Sequence, residues 1–127
     1  MTPEENNKKT VLIVEDEPIL GKVCARILTA KGYDVNLAEN GTSAVRMVEE
    51  RNYDICLSDI RTPEMNGMEF YRYLKENYPA LADNTIFMTG DVMSKDIKLF
   101  LEESGARYIL KPFTETQLSA AINEQIK

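Results

Sequence analysis

The sequence predicts an α/β domain, doubly wound as a (βα)5 five-stranded parallel sheet. Short apolar runs with β-branched residues recur along the chain, and stretches of helical period alternate with them. The length of 127 residues, with 43% hydrophobic and 28% charged residues, suits one globular domain with an apolar core and leaves no room for a second. Alternating β and α units favour parallel pairing, because parallel neighbours need a crossover and right-handed crossovers pack best.

Residues 1–9 are polar and read as an N-terminal extension, with the domain proper at 10–127. The first strand is Val11 to Val14. Pro18 then suits a first helical turn, Leu20, Val23, Cys24, Ile27 and Leu28 form one apolar stripe, and Gly32 suits a helix stop. A second strand at Val35 to Ala38 precedes a less regular helix around Val45 and Val48, and a third at Ile55 to Leu57 precedes the stripe Phe70, Tyr71, Leu74 and Tyr78, after which Pro79 follows. The fourth strand, Ile86 to Met88, leads to a helix around Ile97, Phe100 and Leu101. After the fifth, Tyr108 to Leu110, Thr114 and Gln117 have capping-box spacing and open a helix with a buried side of Leu118, Ala121, Ile122 and Ile126.

Composition excludes several functions. A net charge of −6 repels nucleic acid and anionic membrane surfaces, so no direct nucleic-acid or membrane partner is expected. No apolar run is long enough to span a bilayer and the polar start lacks the apolar stretch of a secretory signal, which predicts a cytoplasmic protein. Cys24 and Cys56 lie in apolar stretches and read as core packing, not as a disulfide. The absence of histidine removes the usual general base and the commonest zinc ligand, so chemistry must run on carboxylates, Lys and Thr.

In doubly wound sheets the functional crevice lies at the carboxyl ends of the strands. Glu15 and Asp16 follow the first strand, Asp59 ends the third, Thr89 the fourth and Lys111 the fifth, so all five are expected to converge. Three carboxylates against one ammonium leave an excess of negative charge in a partly dry cleft, and a divalent cation would neutralise it. Mg²⁺ suits, since it takes one or two carboxylates, keeps several waters and completes its shell with phosphate oxygens. Either acid alone would read as a solvated loop residue; their position directly after a buried-type strand changes that weighting.

The fragments "VLIVEDEP", "DICLSDIRTPEMNG", "IFMTGD" and "YILKPF" occur in the order and spacing that resemble the receiver domains of bacterial response regulators, over about Thr10 to Ile126. The resemblance implies the flavodoxin-like receiver fold with strand order 2-1-3-4-5. It implies that Asp59 is the phosphoacceptor, that Glu15, Asp16, Asp59 and the backbone carbonyl of Arg61 arrange Mg²⁺, and that Lys111 and Thr89 receive the phosphoryl oxygens. It further implies that Thr89 and Tyr108 form the switch, that Lys111-Pro112 is cis, and that the state is read on the surface of the fourth helix, fifth strand and fifth helix. Its partners would be a sensor histidine kinase or a histidine phosphotransfer protein, with the downstream output left open and dimerisation on phosphorylation allowed but not predicted. The only reaction catalysed would be phosphorylation and dephosphorylation of the domain itself. The segments "MTGDVMSKD" and "GARYILKPF" resemble receivers attached to hybrid sensor kinases somewhat more than those joined to DNA-binding domains.

The resemblance places the oppositely charged Arg61 and Asp91 at two positions that tune phosphoryl lifetime, where they either pair across the mouth of the site and hinder attacking water or stand as independent solvated side chains, while Gly90 offers little steric obstruction. Three other readings compete. A phosphorylation-independent binding module usually lacks one key residue, and here all are present. A turnover phosphatase wants a second acid where Arg61 stands, and a flavin site wants glycine or hydroxyl donors where the first loop is "EDEP".

Overall fold

The computed structural model describes residues 8–62, 64–90 and 94–125. Its elements run β1 (Thr10–Val14), α1 (Pro18–Ala30), β2 (Asp34–Ala38), α2 (Gly41–Glu50), β3 (Ile55–Asp59), α3 (Gly67–Asn77), α4 (Pro79–Asp83), β4 (Thr85–Thr89), α5 (Lys95–Ser104), β5 (Arg107–Leu110) and α6 (Glu115–Gln125). The strands pair in parallel in the order β2-β1-β3-β4-β5. This is the expected architecture, with each strand longer by one or two residues than its apolar run.

The two faces of the sheet bury different sets. Val11 and Ile13 of β1, Ile55 and Leu57 of β3, and Ile86 and Met88 of β4 pack with Cys24 and Leu28 of α1 and Leu118 and Ile122 of α6. The alternate residues Leu12, Val14, Cys56 and Phe87 face α2, α3, α4 and α5. Val11 to Val14 are all wholly buried, which at about 2 kcal/mol per large side chain makes β1 the centre of the apolar drive. Tyr71, Phe87 and Phe100 tie α3, β4 and α5 together, with Phe100 edge-on to Tyr71 at 5.4 Å and to Phe87 at 5.3 Å.

Local chemistry sets the helix ends. Pro18 occupies the first turn of α1. At the other end Gly32, at φ +97°, lets its N–H reach Thr29 O at 3.0 Å and that of Tyr33 reach Leu28 O at 3.1 Å, the Schellman arrangement. The capping box of α6 is present: Thr114 N–H donates to Gln117 Oε1 at 2.8 Å and Gln117 N–H to Thr114 Oγ1 at 3.1 Å. A second box, Asn66 with Glu69, opens α3. At the edge of the sheet, Arg51 pairs with Asp34 of β2, donates to Asn36 Oδ1 at 2.8 Å and stacks over Tyr53, so charge and a long side chain shield that strand.

Two expectations are corrected. Pro79 does not merely follow a helix; it starts the short helix α4, because its fixed φ and missing N–H suit a first helical position. The predicted fourth and fifth helices are therefore α5 and α6. Val23, assigned to the buried stripe of α1, is 44% exposed, because the sheet covers only the arc through Cys24 and Leu28, with Leu20 and Ile27 packed at its margin. Ile126 lies outside the described residues.

Candidate functional site

The site forms at the carboxyl ends of β1, β3, β4 and β5, where parallel pairing brings the last residues of neighbouring strands level. Val14 stands opposite Ser58, Asp59 opposite Met88, and Thr89 opposite Leu110. One carboxylate oxygen from each of Glu15, Asp16 and Asp59 lies within 4.8 Å of the other two. Asp16 is exposed, whereas the side chain of Glu15 is fully buried and that of Asp59 only 12% exposed. Lys111 enters from the end of β5 and donates to both buried acids, at 2.9 Å to Glu15 Oε1 and 2.9 Å to Asp59 Oδ2.

Backbone donors orient the acids further. Arg61 N–H donates to Asp59 Oδ1 at 3.2 Å, and Glu17 N–H to Glu15 Oε2 at 3.1 Å. Thr89 is buried, and its carbonyl accepts from Lys111 N–H at 2.9 Å, so threonine and lysine are tied by the last rung of the β4–β5 ladder. The bond Lys111-Pro112 is cis, as the resemblance implied. Tyr108 is 46% exposed and so turned outward.

Burial raises Glu15 to about 7, with the Asp59 charge adding to it while hydrogen bonds from Lys111 and Glu17 oppose it. For Lys111, burial pulls downward, but hydrogen bonds and charge from Asp59 and Glu15 outweigh it and hold the ammonium above its ordinary value. Both groups are thus biased to keep a proton, as a dry cleft with surplus carboxylate requires. The three acids offer oxygen donors alone and outnumber the one lysine, a donor set that fits Mg²⁺ and not a nitrogen- or sulfur-seeking metal.

The loop after Asp59 is held by contacts that spacing alone did not reveal. Gly67 N–H donates to Ile60 O at 2.8 Å, and a Cβ on Gly67 would lie 2.4 Å from Asp59 O, so the start of α3 presses directly on the end of β3. The glycine in "PEMNG" was visible, but its reason is a tertiary approach. The capping box Asn66-x-x-Glu69 was legible from the same spacing rule that found Thr114 and Gln117.

At the mouth, Arg61 Nη2 lies 3.1 Å from Ser94 Oγ and 3.7 Å from Asp96 Oδ1. Its expected partner Asp91 lies outside the described residues. The Arg61–Asp96 pair is more than half exposed on both sides, so solvent screens it strongly. Among the described residues, a Cβ added at Gly90 would meet only Lys111 Cβ, at 3.9 Å.

The free thiols Cys24 and Cys56 are both buried. Among the described residues, no helix is long and apolar enough to cross a membrane.

Residues 11–123 match the response regulator receiver domain family. The chain is 32% identical over 116 residues to the "Probable transcriptional regulator ycf29" of Pyropia yezoensis, covering 91% of this chain and 52% of that protein. The chain spans about half the length of the first curated relatives it matches. Among solved structures, it superposes with a TM-score of 0.86 and 28% identity on a CheY-like response regulator receiver domain protein from Methanospirillum hungatei, covering 94% of each chain. It superposes with a TM-score of 0.83 and 30% identity on the signal receiver domain of a signal transduction histidine kinase from Syntrophus aciditrophicus, covering 93% of this chain and 89% of that one. With the parallel sheet, the acid cluster and the lysine in register, the chain belongs to the response regulator receiver domain family.

Proposed function

We propose that this domain is a phosphoryl-accepting switch in a two-component phosphorelay, with Asp59 as the acceptor. The observation that carries the reading is the convergence of Glu15, Asp16 and Asp59 within 4.8 Å, with Lys111 held 2.9 Å from two of them. A carboxylate oxygen of Asp59 attacks the phosphorus of a phosphohistidine on a sensor kinase or phosphotransfer protein. A P–O bond forms, the P–N bond breaks, and the imidazole leaves with its electron pair and takes a proton from water. The product is an acyl phosphate, an energy-rich anhydride whose hydrolysis resets the switch. The carboxylates of Glu15, Asp16 and Asp59 and the carbonyl of Arg61 would hold Mg²⁺, which when bound would supply neutralisation of the phosphoryl oxygens.

The chain's own groups do the rest. Lys111 gives up its contact with the Asp59 carboxylate and donates to a phosphoryl oxygen, and the Thr89 hydroxyl moves toward the same group. Thr89 stands opposite Leu110 and Phe87 opposite Tyr108, so movement at the end of β4 opens space beside β5 for Tyr108 to turn inward. The surface changed by that turn is α5, β5 and α6, where Leu99, Tyr108 and Leu110 are 45%, 46% and 52% exposed. A partner reads that apolar patch; a second copy of the domain is one candidate. The domain boundaries are residues 10–127, the location is the cytoplasm, and the reaction is confined to the domain's own Asp59.

The test is intact mass after incubation with acetyl phosphate, in Mg²⁺ or chelator, with Asp59→Asn as control. One phosphoryl adduct that requires both Mg²⁺ and Asp59 is expected. No adduct on the folded protein from either acetyl phosphate or a phosphohistidine donor would favour a phosphorylation-independent binding module.

A further inference from the structure

The backbone carbonyl of Met65, in the connection between β3 and α3, is an unusual meeting point. It accepts from two donors that are distant from Asp59 in different ways: Gly41 N–H, the first residue of α2, at 3.2 Å, and Thr62 Oγ1 at 3.0 Å. Both lone pairs are thereby used. The approach at Gly41 is so close that a Cβ there would lie 2.3 Å from this oxygen and 2.7 Å from Met65 Cβ. Thr62 is 6% exposed, a hydroxyl placed where an apolar side chain would satisfy burial alone. Beside it Glu64 adopts φ +65°, a left-handed conformation that a non-glycine residue holds only when its surroundings impose it.

These contacts bear on the acceptor. Arg61, next to Thr62, supplies the N–H on Asp59 Oδ1 at 3.2 Å. On the far side of Met65, Asn66 caps α3, whose first residue bonds Ile60 O at 2.8 Å. The β2–α2 turn itself is capped, since Asn40 Oδ1 accepts Ser43 N–H at 2.8 Å. A fixed point on α2 is therefore linked through one carbonyl to the backbone that orients the Asp59 carboxylate.

We infer that Thr62 is a positioning residue for the phosphoacceptor: with Gly41 it clamps the Met65 carbonyl, and the clamp holds Arg61 N–H on Asp59. Thr62 touches neither Asp59 nor the phosphoryl group, and it acts through the backbone. The effect on acceptor chemistry rests on the proposed role of Asp59, whereas the clamp itself is independent of it.

Thr62→Val removes the donor at constant shape, and Gly41 N–H still serves Met65 O, so the variant keeps no orphaned carbonyl and retains its fold. Thr62→Ser keeps the hydroxyl. Amide hydrogen exchange is measured by NMR at Gly41, Arg61 and Gly67, together with the rate of adduct formation from acetyl phosphate in Mg²⁺. Loss of one net hydrogen bond predicts exchange at Gly41 and Arg61 faster by about two- to tenfold, a phosphorylation rate lower by a similar factor, and recovery of both in Thr62→Ser. Thr62→Val with wild-type exchange at Gly41 and Arg61 overturns the clamp. Faster exchange with an unchanged phosphorylation rate overturns the positioning role. Should Thr62→Val unfold, the same exchange comparison between Thr62→Ala and Thr62→Ser decides the question. A wild-type protein that takes no phosphoryl group counts against the proposed acceptor, and the exchange arm still decides the clamp.

Discussion

Gly67→Ala sets two physical effects against each other with opposite signs. On helix propensity alone, alanine at the start of α3 stabilises by up to about 1 kcal/mol. The structure predicts the reverse. The new Cβ would sit 2.4 Å from Asp59 O, 2.8 Å from Ile60 Cα and 3.2 Å from Asp59 C, whereas ordinary contact begins near 3.4 Å. Every one of these neighbours is backbone, so nothing can swing aside; α3 or the end of β3 must move by about 1 Å. Overpacking of this kind costs about 1–3 kcal/mol. The Gly67 N–H to Ile60 O bond, 2.8 Å long, is strained by the same shift and loses on the order of 1 kcal/mol. The net is a destabilisation of about 1–3 kcal/mol, or a fall in Tm of about 5–15 °C for a domain of this size. Thermal and urea unfolding measure it, with Gly32→Ala as a comparison. Gly32 has φ +97° and, among the described residues, no atom within 4 Å of an added Cβ, so its cost of about 1–2 kcal/mol is backbone strain without a clash. The folded fraction of Gly67→Ala should also accept phosphoryl more slowly, because the displaced strand end carries Asp59. Gly67→Ala as stable as wild type or more so would refute the packing argument and return the position to simple helix propensity.

Three further outcomes are expected. At ten times its dissociation constant, Mg²⁺ should stabilise the protein by about 1.4 kcal/mol, and Glu15→Gln should lose most of that gain; an equal Tm rise in both would place the cation elsewhere. Burial pushes the thiols of Cys24 and Cys56 up to about 11 and about 12, so at pH 8 neither should react with a disulfide reagent until the protein is denatured, when two should appear; rapid native reaction at Cys24 would contradict its burial. Arg51→Ala should cost about 0.5–1.5 kcal/mol through the pair with Asp34, the bond to Asn36 and the stacking on Tyr53, and a double-mutant cycle with Asp34→Ala should give a coupling under about 1 kcal/mol, since both side chains are more than a third exposed.

By itself the sequence determined the class of fold and which charged and hydroxyl residues stand at the ends of the strands. Alternation of buried runs such as Val11 to Val14 with stripes such as Phe70, Tyr71 and Leu74 is a local property of the chain, and parallel pairing follows from it because each crossover needs a helix. Chemistry placed directly after strands is equally legible, so Glu15, Asp16, Asp59, Thr89 and Lys111 could be named without coordinates. The helix caps at Gly32 and Thr114 were readable for the same reason. Only the tertiary structure decided which donor meets which acceptor. That Lys111 bridges Glu15 and Asp59, that Arg61 reaches toward Ser94 and Asp96, and that Val23 faces solvent depend on where whole elements come to rest. The clearest case is the pair of glycines that meet the end of β3 and the connection from it to α3. Gly41 and Gly67 each look like a helix start in the chain, yet each is required because another segment's backbone passes within 2.4 Å of where a Cβ would be. Such an approach joins separate elements of the fold, and no periodicity or composition encodes it.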